Sequence, residues 1–346
     1  MYLNQLHLLN FRSFEDSFFD LKDTNLVYGE NGCGKTSFLE AIHFSLKSKS
    51  FRTSSVNSMI NKNYDFFRIS TKVNSDKKII EKRIGKVLIK DNYETFNKYD
   101  VLPLLLDNFS LRFLEQNKEV RREFIDYFLF HVKHDYLEKL KKFKKILFSR
   151  NIALKEKDVE QISVWTKLLI EISNEINISR KEIVTEVLED LEENILGKVG
   201  DNKWSEILST LEISFFSGWE GDSLEKRLRE EYEEDLAKGF TKSGAHKFDL
   251  EINVLGEKSG NILSRGEQKI LILLVFLSSI KLLKDLVDTE ILLMIDDLGS
   301  ELDLNNLTSI VMKILESENQ IILTGIDGEE MHKSIKKMTN FTQINI

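Results

Sequence analysis

One proline (Pro103) and one cysteine (Cys33) occur in the 346 residues of this chain. So little proline excludes long proline-rich linkers. A lone cysteine excludes an intramolecular disulfide, and its thiol suits a reducing cytoplasm. Long hydrophobic runs are also missing. The longest, Ile270 to Ile280, is bracketed by Lys269 and Lys281 and is too short to cross a bilayer, so it reads as a buried core helix. The opening residues, MYLNQLHLLNFRSFED, lack the charged start and apolar core of a signal peptide. Internal repeats, low-complexity tracts and sustained heptads are absent, and without heptads there are no long coiled-coil arms.

What is present is 41% hydrophobic and 31% charged, a soluble globular balance. The length suits two ordinary domains, or one large domain with an insertion. A net charge of −8 speaks on its own against a nucleic-acid partner, but the charge is unevenly spread. Residues 72–90 carry seven basic against two acidic side chains, and residues 119–157 eleven against six. Residues 158–235 carry eight against twenty-one. An anionic ligand is repelled by that acidic block and drawn elsewhere.

Periodicity places the elements coarsely. Leu6 and Leu8 alternate in a strand within residues 1–11, NLVYG at 25–29 is a short buried strand, and a helix follows Lys35 with Phe38, Ala41, Ile42 and Leu46 on one face. Alternation at Phe67, Ile69, Thr71 and Val73, and over parts of 78–90, predicts an antiparallel sheet or hairpin. Helical spacing runs from 119 to about 195. Short strands are expected at 211–216 and 247–255, then a helix from 264, a buried strand at 290–296, a helix near 303–316 and a strand at 320–324. Strands and helices alternating around a helical middle make an α/β domain split by an insertion. Trp165, Trp204 and Trp219 read as core anchors rather than base-stacking platforms.

Chemistry concentrates at GENGCGKTS, Gly29 to Ser37, which fits G-x-x-x-x-G-K-[ST] between an apolar strand and a helix. Backbone N–H groups of Gly29, Glu30, Asn31, Gly32, Cys33 and Gly34 would curl around phosphate oxygens at a helix N-terminus. Lys35 would reach the β- and γ-phosphates, Thr36 would ligate Mg²⁺, and Ser37 completes the loop. A second element is ILLMIDD. Alone, two acids after an apolar strand are more often a helix cap or a solvated turn; beside a P-loop, Asp296 holds Mg²⁺ through water and Asp297 orients the attacking water. Aspartate is one methylene shorter than glutamate, so hydrolysis is expected to be slow. A third element is Ser264, Gly266 and Glu267 at the mouth of the buried helix. They read either as an ordinary capping box or as a second anion site.

The order of these parts decides between the two readings. A P-loop, a Ser-x-Gly helix, an acidic strand end and then SELD is the layout of ABC-type ATPases, in which the serine-led helix of one subunit closes over ATP held by the other. More closely, the chain resembles the RecF family of bacterial recombination mediators, relatives of the heads of SMC proteins, over nearly its whole length. The resemblance rests on LLNFRSFED, VRREFIDYF, YLEKLKKFKKILFSRNIAL, SGAHKFDLEI, LSRGEQKILIL and LLMIDDLGSELD. Three positions depart from related patterns. Ala245 stands where the family has proline, no glutamine lies near 103–109 in a Q-loop position, and Thr324 stands where transporters carry a switch histidine.

The resemblance implies an ABC-type P-loop ATPase head, a mixed sheet plus an antiparallel subdomain. Residues 1–105 with 240–346 would form that lobe, and 106–239 an inserted, mainly helical second lobe. It implies an ATP- and Mg²⁺-dependent homodimer, cytoplasmic and nucleoid-associated, that binds duplex DNA, gapped DNA or a single-strand–duplex junction. It would act with RecO and RecR upstream of RecA, with no membrane partner. Ser300 and Asp303 would lie at the dimer interface. Arg12 would approach the nucleotide phosphates or pair with an acid. From the residues alone, the DNA contacts fall on two basic segments: Lys77, Lys78, Lys82 and Arg83 in the hairpin, and Lys141, Lys142, Lys144 and Lys145 on one helical face, each equally readable as plain solvated surface. His246 has no second ligand at metal-binding spacing. The competing function is a DNA-independent ABC ATPase, such as the nucleotide-binding subunit of a transporter.

Overall fold

The computed structural model describes residues 3–73, 76–83, 86–90, 101–107, 112–114, 118–191, 207, 209–286, 290–299, 302, 304–325 and 341–346. Along the chain come β1 (Leu3–Phe11), β2 (Phe14–Asp20), β3 (Thr24–Tyr28), α1 (Lys35–Lys47), β4 (Phe66–Val73), β5 (Asp76–Arg83), β6 (Lys86–Lys90) and β7 (Val101–Leu106). The helical middle holds α2 (Lys118–Val132), α3 (Tyr136–Glu156), α4 (Val159–Asp190), β8 (Leu211–Phe216), α5 (Leu224–Glu230), α6 (Tyr232–Lys238), β9 (Asp249–Val254) and β10 (Glu257–Lys258). Then follow α7 (Arg265–Leu286), β11 (Glu290–Ile295), α8 (Leu304–Glu316), β12 (Gln320–Gly325) and β13 (Thr342–Asn345).

These elements form two compact units, residues 1–110, 265–273 and 288–346 in the first, and 111–264 and 274–287 in the second. The expected break at 239/240 is corrected to 264/265. Residues 240–264 join the second unit because β9 pairs along β8, Phe216 to Asp249 through Leu211 to Val254. The other expected break moves from 105/106 to 110/111. Helix α7 contributes its first turns to the first unit and the rest to the second.

The first unit carries two five-stranded sheets. One is antiparallel in the order β2-β1-β4-β5-β6, and the other is parallel in the order β13-β3-β12-β11-β7. Strands β3, β11 and β12 are buried almost throughout, as parallel strands covered on both faces must be. Their core includes Leu6, Leu8, Phe11, Phe38, Ile42, Phe67, Ile69, Met294 and Ile322. Strand β7 was not foreseen by alternation because VLPLLL is apolar on both faces; Pro103 is tolerated because β7 is an edge strand. Sparse apolar alternation likewise hid β2 and β13.

The second unit is mainly helical, with a three-stranded sheet β10-β9-β8. Helices α3 and α4 form a hairpin across Lys157, which turns the chain at φ 57°, and Asp158 caps α4 by accepting from the N–H of Gln161 at 3.0 Å. Their core gathers Ile125, Leu129, Tyr136, Phe143, Leu169, Ile172, Trp219 and Phe248, with Trp165 packed against it. Trp204 lies outside the described residues.

Candidate nucleotide site

The carboxyl ends of β3, β12 and β11 lie side by side, the position where parallel α/β sheets gather their ligands. Strand β3 delivers Gly29 to Gly34, and helix α1 begins at Lys35. Gly34 sits at φ 127°, where a Cβ would lie 2.8 Å from Ser13 Oγ and 3.2 Å from the Phe14 ring, so the loop can turn there only with glycine. A Cβ on Gly29 would fall 2.4 Å from the carbonyl of Ile346. Glu30, Asn31 and Gly32 are exposed and Cys33 is half-buried. The Lys35 ammonium donates to the carbonyls of Gly29 and Glu30 at 2.8 and 2.9 Å, which draws it back along its own loop.

Asp296 follows β11. Its N–H donates to Leu106 at 2.8 Å, and its carboxylate is held at both oxygens: Thr36 Oγ1 donates to Oδ2 at 2.8 Å and Thr324 Oγ1 to Oδ1 at 2.6 Å. Thr36 and Asp296, brought together from opposite ends of the sequence, form a hard oxygen pair at a strand end. That donor set fits a small divalent cation whose remaining positions come from water and phosphate. Asp297 lies at φ 54°, a backbone region that aspartate tolerates far better than longer acids. This gives a backbone reason for aspartate rather than glutamate here.

Arg12 is paired with an acid. Its guanidinium donates to both oxygens of Glu40, at 2.8 and 2.7 Å, and to the carbonyl of Ser58 at 2.7 Å. Glu40 is fully buried on α1 and also accepts from Ser50 at 2.6 Å and from Arg52, which reaches Ser37 Oγ at 3.2 Å. Glu40 went unnoticed in the sequence, although an acid amid Phe38, Leu39, Ala41 and Ile42 was a readable signal of a buried partner. Ser264 is exposed just before α7, Gly266 and Glu267 are half-buried, and burial is complete from Gln268. Ser300 and Asp303 lie outside the described residues. Among the described residues no group of three His, Cys, Asp or Glu side chains is placed to hold a metal ion, His246 included.

The motif residues of the second unit have another occupation. Arg121 grips Asp249 at 2.7 and 3.1 Å, Arg180 grips Asp126 at 2.9 and 3.0 Å, and Arg150 reaches Asp235 at 2.8 Å and Thr241 at 2.7 Å. Asn151 accepts from the N–H and hydroxyl of Thr241. His246 contacts the carbonyl of Thr241 at 3.2 Å, and burial lowers its pKa to about 4, so it is neutral. These residues tie α2, α3 and α4 to segment 235–249.

The two basic segments also differ. Lys78 and Lys82 flank Ile80, which is 2% exposed, on the core side of β5, whereas Lys77 and Arg83 project outward. Arg83 is bonded to Glu81 at 3.0 Å, so the four do not form one surface. On α3, by contrast, Lys141, Lys142, Lys144 and Lys145 are all exposed beside Phe148.

Among known proteins, residues 2–345 match the family described as RecF/RecN/SMC N terminal domain. The DNA replication and repair protein RecF of Pseudoalteromonas translucida is 32% identical, over 99% of this chain and 97% of that protein. The RecF of Shewanella piezotolerans is 31% identical over 94% of this chain and 92% of its own length. A solved structure of the recombination mediator protein RecF with ATPrS superposes with a TM-score of 0.74 at 22% identity, covering 95% of this chain and 93% of that one. The Smc head domain from Pyrococcus furiosus shares the fold at a TM-score of 0.53 and 16% identity, over 96% and 91%.

Proposed function

The chain belongs to the RecF/RecN/SMC N-terminal domain family, among its RecF members, and from that membership and the site geometry we propose that it is an ATP-gated, DNA-binding recombination mediator. Its fold is that of ABC-type ATPase heads. One observation carries the reading: Thr36 of the P-loop and Asp296 of a distant strand meet at 2.8 Å at the sheet's carboxyl edge. A shared oxygen pair beside a glycine-rich loop is what a Mg²⁺–triphosphate requires.

In this reading the loop amides and Lys35 bind the β- and γ-phosphates. Thr36 and Asp296 hold Mg²⁺, which when bound neutralises phosphate charge. Asp297 orients the attacking water. Ser264, Gly266 and Glu267 lie at the start of α7, whose exposed end meets the nucleotide of a second copy. The ATP-bound dimer engages duplex or gapped DNA and, in the RecFOR pathway with RecO and RecR, promotes RecA loading. Hydrolysis is slow and releases the complex.

The test is ATP turnover with and without gapped duplex, run beside sizing with and without ATP. DNA should raise the rate, and ATP should double the particle mass. Asp297→Asn should keep ATP binding and accumulate the dimer. Turnover indifferent to DNA would return the chain to the DNA-independent ABC ATPases, and an Asp297→Asn variant that stays monomeric with ATP would remove that residue's role.

A further inference from the structure

We infer that Thr324 and Lys269 are positioning residues of the nucleotide site, which fix Asp296 and Asp297 from behind and link the signature helix α7 to the hydrolytic carboxylate. The inference rests on the nucleotide reading above. Strand β12 lies between β3, which leads into the P-loop, and β11, which leads into the acids. Thr324 therefore stands between both, and it is fully buried.

A threonine hydroxyl has one proton, and here its use is fixed. Asp297 N–H donates to Thr324 Oγ1 at 2.8 Å, so that oxygen must point its own proton at Asp296 Oδ1, 2.6 Å away. The Leu298 N–H donates to the Thr324 carbonyl at 3.0 Å. One side chain thus orients the carboxylate of Asp296 and the peptide entering Asp297. The peptide leaving Asp297 is held as well, since its carbonyl accepts from the ammonium of Lys269, a residue only 3% exposed. A non-glycine residue at φ 54° persists where its surroundings over-determine it, and Asp297 is bonded on both flanks. Lys269 lies one turn inside α7, whose first residues are Arg265 and Gly266. A shift of that helix is therefore transmitted to the Asp297 backbone through one buried ammonium.

Three variants test this: Thr324→Val, which keeps shape and removes the hydroxyl; Thr324→Ser, which restores it; and Lys269→Met. Binding of a fluorescent ATP analogue is measured in EDTA and in Mg²⁺, beside kcat and KM. Thr324→Val should bind the analogue normally in EDTA, lose most of the tightening that Mg²⁺ brings, and drop kcat about tenfold or more, with Thr324→Ser near wild type. Lys269→Met should lower kcat with both affinities retained. Val behaving as wild type, or Ser as impaired as Val, overturns the role of Thr324. Unchanged kcat in Lys269→Met overturns the link to α7, and this variant remains decisive should Thr324→Val not fold. Wild-type protein that fails to bind the analogue under either condition would sink the nucleotide reading itself, a separate result.

Discussion

In the first unit the motif side chains converge on the ends of strands and remain half-exposed, as Lys35, Thr36, Asp296 and Asp297 do; in the second, Arg121, Arg150 and Arg180 are buried against aspartates. Asp296 and Asp297 of the first set and Arg121 and Arg150 of the second belong to segments that carry the family resemblance. They serve different ends. A polar group left partly open at a strand end is available to a ligand, whereas a buried arginine is satisfied by its partner and contributes to the fold. Burial of a charge is tolerated only with such pairing, and removal of one member leaves the other stranded.

The largest expected effect follows from that contrast. Arg150 is fully buried, and Arg150→Met would leave the buried Asp235 without its arginine. Unfolding should become easier by roughly 3–5 kcal/mol. Trp165 and Trp219 belong to the second unit's core, so tryptophan fluorescence in urea reports this directly. Lys35→Met should change that transition by less than about 0.5 kcal/mol, since its ammonium only serves carbonyls of an open loop, yet should abolish ATP binding. Arg150→Met leaving the urea midpoint in place, or Lys35→Met retaining nucleotide, would break the division between strut and site.

Which parts were legible in the sequence follows from the same contrast. The P-loop, Asp296 and Asp297 were readable because their residues are contiguous and each lies next to the strand or helix that positions it. In the sequence Thr324 stands out only as something other than histidine. Its role arises from the strand order β3-β12-β11, which no local pattern encodes. Asp249 and His246 could be matched to a motif but not explained, because their partners, Arg121 and Thr241, are fixed by tertiary packing. Counting charge groups Lys78 and Lys82 with Lys77 and Arg83, but a strand sends neighbours to opposite faces. The end of the second unit was misplaced because the pairing of β9 with β8 is long-range.

An intermediate effect sharpens the comparison through pH. His246 belongs to the second unit's network, and burial, reinforced by Lys247, Arg122 and Arg150 nearby, depresses its pKa to about 4. The unfolded chain therefore binds this proton more readily than the folded one. The stabilisation is complete above about pH 6.5 and is lost as pH falls toward 4, a swing on the order of 3 kcal/mol. Asp235, whose carboxyl burial pushes upward despite Arg150, acts in the opposite sense. The difference between wild type and His246→Gln isolates the histidine. Its unfolding free energy should diverge from wild type only between those limits, and parallel curves would remove His246 from the acid response.

The smallest effect on stability, and the one that separates the two basic segments, concerns α3. Lys141, Lys144 and Lys145 are exposed around Phe148, whereas on β5 Arg83 is committed to Glu81 and Lys78 and Lys82 face the core side. The helix presents uncrowded positive charge on one surface. Converting Lys141, Lys144 and Lys145 to glutamine should change the unfolding free energy by less than about 0.5 kcal/mol. If the helix tracks a phosphate backbone, each lost contact lowers the slope of log affinity against log salt by about one, with little change in sequence preference. Lys77→Gln on the strand, a single substitution opposite Lys72, should lower it by at most about one. An unchanged slope in the triple variant would assign those lysines to solvation alone and move the DNA contact off α3.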